Sequence, residues 1–106
     1  MEITVQYFDG CPHWELADER VRSALAQLGL GTTDVVRELV NTPEKAAAAG
    51  FHGSPTILVN GRDPFAGQSP PVALSCRLFT TPDGLAGSPT IEQFVHAIES
   101  AQTQSD

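Results

Sequence analysis

The start of the chain combines a short apolar segment, an abrupt turn and a long amphipathic stretch. Residues 3–8 are rich in β-branched and aromatic side chains, which favours a β-strand. Apolar residues then recur at spacings of three and four from Trp14 to Leu28, which indicates an amphipathic helix with Pro12 in its first turn and Gly29 at its end. A strand, a helix and a further strand in so little chain predict a right-handed parallel crossover.

The next stretch predicts that further strand and a second helix. Residues 33–40 are dense in valine, and so short a run favours a strand over a helix. Thr42 and Pro43 then supply a capping residue and a first-turn proline, and Gly50 supplies a stop. We therefore expect a short alanine-rich helix between Pro43 and Gly50.

A third strand is predicted by the continuous apolar run at residues 56–59, which is typical of a strand buried on both faces. Asn60 and Gly61 follow it and form a strong hairpin signal. We expect an antiparallel partner to begin near Arg62 and to be cut short by Pro64.

Residues 66–90 are punctuated by glycine and proline and predict an extra loop-strand region. Within it, four apolar residues alternate as in a strand: Val72, Leu74, Cys76 and Leu78. The final helix is predicted by an apolar stripe, with Ser88 or Thr90 as its cap; the stripe comprises Ile91, Phe94, Val95 and Ile98. The predicted fold is α/β, with a mixed central sheet, helices on both faces, one domain over residues 1–101 and a flexible tail over 102–106.

Composition excludes several classes of function. Thirteen acidic against six basic residues give a net charge of −7, which disfavours binding to nucleic-acid phosphates. The sequence contains no apolar run long enough to span a membrane, and its first residues lack the pattern of a signal peptide. We therefore expect a cytoplasmic protein with no nucleic-acid or membrane partner. In the cytoplasm, paired cysteines are redox-active or metal-binding rather than structural.

Cys11 lies where the first predicted strand gives way to the first helix. Unpaired amide groups and the positive end of the helix dipole favour thiolate over thiol at such a position. Thiolate is the form that attacks disulfides and binds soft metals. We therefore predict that Cys11 is a reactive thiol, with a small buried cysteine at a tight turn as the alternative.

The turn from Gly10 to Trp14, with Cys11 and Pro12 in it, resembles the Cys-Pro-aromatic-Cys turn of glutaredoxins. Ser54-Pro55-Thr56, at the entry to an apolar strand, is similar to the cis-proline loop of the thioredoxin superfamily. Together with the element order, the resemblance covers about residues 2–65 and the last helix. It implies a thioredoxin-like fold in which Pro55 is cis and lies beside Cys11. It also implies that Ser54 and Pro55 contribute to substrate binding, with the backbone before the proline pairing with a bound peptide or thiol.

Trp14 stands where the family has its second cysteine, so a local Cys-x-x-Cys disulfide is impossible. A redox cycle must then be monothiol, with an external resolving thiol, or must use Cys76, which lies 65 positions further along (76 − 11 = 65). The alternation around Cys76 is also consistent with an inert buried strand residue. Trp14 is expected to pack on the apolar stripe of its helix, or to contact substrate if it is exposed.

The two widely spaced cysteines are also similar to those of organomercurial lyase, whose catalytic domain has a thioredoxin-like core and two mercury-binding cysteines. That resemblance implies capture of a soft metal by Cys11 and Cys76, since thiolates prefer such ions. Trp14 replaces the acid that delivers the proton in that family, so lyase chemistry would need Asp9 in its place. A mixed site with His13 and His52 lacks any compact ligand spacing and is a minor alternative.

These observations leave three hypotheses. The first is a thiol–disulfide oxidoreductase in which Cys11 attacks, Cys76 resolves or is dispensable, and His13, Trp14, Ser54 and Pro55 contact substrate. Its partners would be protein or small-molecule thiols and disulfides, and no resident cofactor is expected. The second is soft-metal or organomercurial binding, and the third is a non-catalytic adaptor in which both cysteines are incidental.

Overall fold

The computed structural model describes residues 1–68 and 75–104. They form an α/β fold, as the sequence predicts. Its elements are β1 (Ile3–Tyr7), α1 (Trp14–Gln27), β2 (Val35–Leu39), α2 (Pro43–Ala49), β3 (Thr56–Val59), a 3-10 helix (Ala66–Gln68), β4 (Phe79–Thr81), β5 (Gly84–Ala86) and α3 (Ile91–Gln104).

The central sheet has the order β2-β1-β3, and it is mixed. β1 runs parallel to β2, with Ile3 opposite Val35, so the predicted parallel pairing of these strands is confirmed. β3 runs antiparallel to β1, with Ile3 opposite Val59. This pairing of β1 with β3 makes the sheet mixed, whereas the sequence placed the antiparallel pairing at the Asn60 hairpin.

The antiparallel partner expected near Arg62 is present only as a very short pairing, in line with the interruption expected at Pro64. Asn60 and Gly61 form the tight turn, with φ values of 54° and 81°, which only glycine and a few polar residues adopt readily. Beyond it, pairing is limited to a single bridge between Val59 and Arg62. Pro64, two residues later, has no amide hydrogen to donate to a neighbouring strand, so the pairing does not extend beyond this bridge.

The main core lies between α1, α3 and one face of the sheet. Alternation along β1 places Ile3 and Val5 on this face, and both are fully buried. The buried stripes of the two helices pack against them; the helical members are Ala17, Val21, Ala24, Leu25, Phe94 and Ile98. α1 and α3 therefore cover the same face of the sheet.

A smaller cluster consists of Val40, Ala46 of α2 and Phe51, with Phe8 packed against them. Phe8 and Val40 directly follow β1 and β2, and the alternation of strand side chains places them on the face opposite Ile3 and Val35. α2 is capped as predicted: the Thr42 side chain accepts a hydrogen bond from the Lys45 amide, and Gly50 adopts the left-handed conformation. Helices therefore contribute to both sides of the sheet.

The two long helices differ from prediction at their ends. α1 begins at Trp14 with His13 as its N-cap, so Pro12 precedes the helix instead of occupying its first turn. α3 is capped by reciprocal hydrogen bonds between Thr90 and Gln93. It continues to Gln104, beyond the predicted end at Ala101, and only residues 105 and 106 of the predicted tail lie outside the described residues.

The region of residues 66–90 departs most from prediction. Val72 and Leu74 of the predicted extra strand lie outside the described residues, and Cys76 forms only an isolated bridge with Ser54. In the described part of this region the strands are β4 and β5, which form a hairpin whose turn contains Pro82 and Asp83. Proline followed by aspartate and glycine is a turn signature that the alternation of apolar residues obscured.

Across the described ranges, no helix is long and apolar enough to cross a membrane.

Candidate functional site

Cys11 and Cys76 are joined by a disulfide, with their Cα atoms 5.7 Å apart. This is the ordinary separation for a disulfide. The bond connects two segments that are 65 residues apart in sequence. We call residues 8–11 the Cys11 turn and residues 75–77 the Cys76 segment.

The Cys11 turn is built from local contacts. Its chain reverses after β1, and the amide of Cys11 donates a hydrogen bond to the carbonyl of Phe8 at 3.0 Å. Asp9 and Gly10 lie at the two central positions of the turn, where these residue types are common. α1 starts three residues after Cys11, so the thiol lies just ahead of the positive end of the helix rather than within its first turn.

The Ser54–Pro55 peptide bond is cis, as the thioredoxin resemblance implies. Ser54 is buried, and its hydroxyl oxygen accepts a hydrogen bond from the amide of Phe8 at 3.0 Å. Its own amide donates to the carbonyl of Ser75 at 2.7 Å, and its carbonyl accepts from the amide of Arg77 at 3.0 Å. Ser54 therefore joins the Cys11 turn through its side chain and the Cys76 segment through its main chain.

Gly53 allows the Cys76 segment to approach this closely. Its φ of +106° is disfavoured for residues with a side chain. A Cβ atom at this position would lie 3.0 Å from the Cβ of Arg77 and 3.2 Å from the carbonyl oxygen of Ser75. Glycine is therefore required here for both its conformation and its size.

Arg77 anchors the Cys76 segment in the protein interior. Its side chain has no exposed surface, and its guanidinium donates hydrogen bonds to Asp63 at 2.7 Å and to the carbonyl of Phe65 at 2.7 Å. The hydroxyl of Thr56 lies at 3.4 Å, and the guanidinium carbon lies 4.5 Å from the ring centroid of Phe79. A buried guanidinium is stable only when paired and hydrogen-bonded in this way.

The two cysteines differ sharply in exposure. Cys11 is 1% exposed, whereas Cys76 is an exposed residue. The alternative of a buried strand residue at Cys76 is therefore wrong, and Leu78 is likewise 56% exposed, while Arg77 and Phe79 are buried. Arg77 reverses the pattern because its charged group finds the partners described above inside the fold.

His13 and Trp14 lie beside the Cys11 turn and have separate neighbours. His13 is exposed, and a methyl group at Gly87 would overlap its side chain, so its imidazole lies against the loop before α3. Trp14 is half-buried and stacks on Tyr7, with ring centroids 4.1 Å apart. The Arg37 guanidinium lies 5.5 Å from the centre of the Trp14 ring. Trp14 thus forms an aromatic–cation contact at the edge of the sheet.

Arg37 also belongs to a charged group on the outer side of α1. Asp18 accepts hydrogen bonds from Arg37 at 2.8 Å and from Arg22 at 3.1 Å. Burial acts to raise the pKa of Asp18, but the hydrogen bonds and charges of the two arginines outweigh it and hold this pKa below its ordinary value. Both arginines are about half exposed, at 51% and 47% of their side-chain surface, so the group is a partly solvated ion pair.

The minor alternative of a mixed metal site with His13 and His52 finds no support among the described residues. In the part of the chain that the structure describes, no group of three or more histidine, cysteine or acidic side chains is placed to hold a metal ion. His52, next to Gly53, is half-buried.

Asp63 and Arg77 are the site-supporting residues that the sequence did not reveal. Arg77 lies between Cys76 and Leu78, where a charged residue would be the ordinary outward-facing member of an alternating run, so the sequence carried no signal of its burial. Its carboxylate partner follows the Asn60 turn, where an acid is ordinary turn chemistry. Their pairing depends on tertiary contacts between segments 14 residues apart.

No family model, no curated protein and no solved structure matches the chain.

Proposed function

We propose that the chain is a thioredoxin-like thiol–disulfide exchange protein, with Cys11 and Cys76 as its redox pair. The observation that carries the proposal is the disulfide between them, formed where the Cys11 turn, the cis Ser54–Pro55 bond and the Cys76 segment meet. Two cysteines placed this close by the fold can pass between dithiol and disulfide without large movements of the backbone.

The fold also brings a second cysteine to Cys11, which has none beside it in the sequence. Trp14 occupies the position of the second cysteine in the glutaredoxin-type turn, so a resolving thiol must come from elsewhere. Cys76 lies in the segment that pairs with Ser54, and Ser54 is the residue directly before the cis proline. Of the two redox cycles left open by the sequence, this supports the internal dithiol cycle over the monothiol cycle.

The expected cytoplasmic location sets the direction of the cycle. Glutathione and thioredoxin systems keep cytosolic thiols reduced, so the dithiol would be the resting form there. The dithiol form would reduce a disulfide in a protein or a small molecule and would itself become the disulfide. Cellular thiols would then reduce that disulfide back to the dithiol.

The test is turnover of a low-molecular-weight disulfide with glutathione as the reductant. Wild-type protein is expected to accelerate the reaction, and Cys11→Ser and Cys76→Ser are each expected to lose most of the acceleration. Full retention by Cys76→Ser would establish the monothiol cycle instead. No acceleration by wild-type protein with either a small disulfide or a protein disulfide would contradict the proposal and favour the adaptor hypothesis.

A second candidate is capture of a soft metal ion or an organomercurial by the reduced pair. It is favoured by one observation, the Cα separation of 5.7 Å, which allows both thiolates to reach one ion. It predicts stoichiometric binding of a mercurial that is weakened by either single Cys→Ser substitution. Equal affinity in Cys76→Ser and wild-type protein would contradict it.

A further inference from the structure

We infer that Cys76, and not Cys11, is the cysteine that exchanges with external thiols and disulfides. The inference rests on the proposed exchange function and reverses the roles that the sequence suggested. It starts from the contrast between the exposed Cys76 and the 1% exposure of Cys11.

Thiol–disulfide exchange is an in-line displacement. The attacking thiolate approaches one sulfur from the side opposite the sulfur that leaves, so access decides which sulfur is attacked. An external thiolate has little access to the Cys11 sulfur, because Cys11 has almost no accessible surface. Attack on the Cys76 sulfur meets less obstruction, because Cys76 is an exposed residue.

The packing on the two sides keeps this difference in place. The Cys11 turn is closed by its own hydrogen bond and tied to the buried hydroxyl of Ser54. The Cys76 segment turns its next side chain, Arg77, inward to Asp63 and Phe65, which directs Cys76 outward. None of these hydrogen bonds involves a sulfur atom, so we expect both arrangements to persist in the reduced protein.

The reaction then proceeds in two displacements. An external thiolate attacks the Cys76 sulfur, a mixed disulfide forms there, and the electron pair of the broken bond leaves on the Cys11 sulfur as thiolate. A second thiolate attacks the outer sulfur of the mixed disulfide, which releases a small disulfide and leaves Cys76 as thiolate. The protein gains two electrons, and the two external thiols are oxidised.

The reverse direction follows the same path. The Cys76 thiolate attacks a substrate disulfide, and one substrate thiolate leaves as the mixed disulfide forms on Cys76. The Cys11 thiolate then attacks the Cys76 sulfur, which closes the internal disulfide and releases the second substrate thiolate. Cys11 is therefore the resolving thiol, and its place just ahead of α1 favours it as a leaving group.

The experiment maps the first adduct on oxidised wild-type protein. The protein is mixed with isotopically labelled glutathione in the presence of an alkylating reagent, quenched with acid and digested with trypsin. Cleavage after arginine separates Cys11, in the peptide of residues 1–20, from Cys76, in the peptide of residues 63–77. We expect glutathione on the second peptide and the alkyl group on the first, with an excess of about tenfold or more over the opposite pattern. Glutathione mainly on the first peptide, or equally on both, would overturn the inference.

A second measurement covers the case in which the adduct is too short-lived to map. Cys11→Ser and Cys76→Ser are each reacted, as folded reduced proteins, with a chromogenic aromatic disulfide. Cys11→Ser, which keeps Cys76, is expected to react about tenfold faster. The difference should vanish in concentrated urea, which exposes both cysteines. Equal rates in the folded variants would overturn the inference, whereas failure of the exchange function itself would appear only as absent turnover by wild-type protein.

Discussion

The two segments that carry the cysteines are held in place in different ways. The Cys11 turn depends on neighbours in sequence: it follows β1, closes with a hydrogen bond to Phe8 and leads into α1. The Cys76 segment depends on distant partners, the main chain of Ser54 and the buried contacts of Arg77. Cys11 is placed mainly by local structure, with one tertiary hydrogen bond from Phe8 to Ser54, whereas Cys76 is placed by tertiary structure alone. The proximity of the pair should therefore be sensitive mainly to changes around the second segment.

The largest effect is expected for Arg77→Met. This substitution leaves the nearly buried carboxylate of Asp63 without its partner, and breaking a buried pair from one side costs about 3–5 kcal/mol in the free energy of unfolding. Urea denaturation measures it. The control is Arg62→Met, which changes an exposed arginine of the neighbouring turn and should stay within about 0.5 kcal/mol of wild type.

Arg77→Lys provides a version of this test that should still fold. It keeps the charge but loses the planar fork that reaches Asp63 and the carbonyl of Phe65 together, so it should be intermediate in stability. Adding Asp63→Asn to Arg77→Met should recover part of the loss, because the uncompensated carboxylate is removed. An Arg77→Met protein as stable as the Arg62→Met control would show that the Cys76 segment is not anchored in this way.

The second effect separates the conformation of Gly53 from its close contacts. Gly53 and Gly84 have nearly equal φ values, +106° and +103°, but a Cβ atom at Gly84 meets nothing within 4 Å. Gly84→Ala should therefore show the backbone penalty alone. Gly53→Ala should lose about 1–3 kcal/mol more, because its methyl group presses on Arg77 and on the carbonyl of Ser75. Equal losses in thermal or urea unfolding would contradict the close approach.

A smaller effect is expected for Ser54→Ala. The main-chain hydrogen bonds to the Cys76 segment remain, but the part-buried amide of Phe8 loses its acceptor, which costs about 1–2 kcal/mol. The loss should appear in both the oxidised and the reduced protein, because the hydrogen bond does not involve the disulfide. A loss confined to the oxidised form would mean that the hydroxyl acts through the disulfide and not through the Cys11 turn.

The smallest effect lies away from both segments, at Asp18. Asp18→Asn should cost about 1 kcal/mol at neutral pH, since its arginine partners are half exposed and screened by solvent. The folded-state pKa of Asp18 is lowered, so its contribution is fully present above the ordinary carboxyl pKa and is lost as the pH falls through the lowered value. The difference between variant and wild type should therefore disappear in acid. A difference that persists or grows in acid would contradict the lowered pKa.

The same contrast explains how much of the fold the sequence could predict. β1, α1, α2 and β3 were predictable because their signals are local: apolar periodicity, a proline at the start of α2, and glycines that end α1 and α2. The Asn60 turn was also predictable, and so was the short extent of its partner, because Pro64 limits the pairing.

The Cys76 segment was not predictable because local pattern and tertiary packing disagree there. Alternation pointed Cys76 and Leu78 inward, but the buried positions are Arg77 and Phe79. Arginine is buried only because Asp63, Phe65 and Thr56 supply partners, and no local signal in the sequence brings these together. Half of the candidate site was therefore predictable. The motifs identified Cys11 and the Ser54–Pro55 loop, but no motif identified Arg77, which anchors the Cys76 segment beside them.

The most direct test of the account is the equilibrium of the Cys11–Cys76 disulfide in glutathione redox buffers, followed by alkylation and mass. The account predicts a reversible two-electron transition, with a midpoint between about −180 and −270 mV, the range of dithiol proteins that exchange with cellular thiols. A disulfide that stays intact below about −300 mV would be structural and would contradict the account. So would a chain in which the two thiols never form a bond to each other.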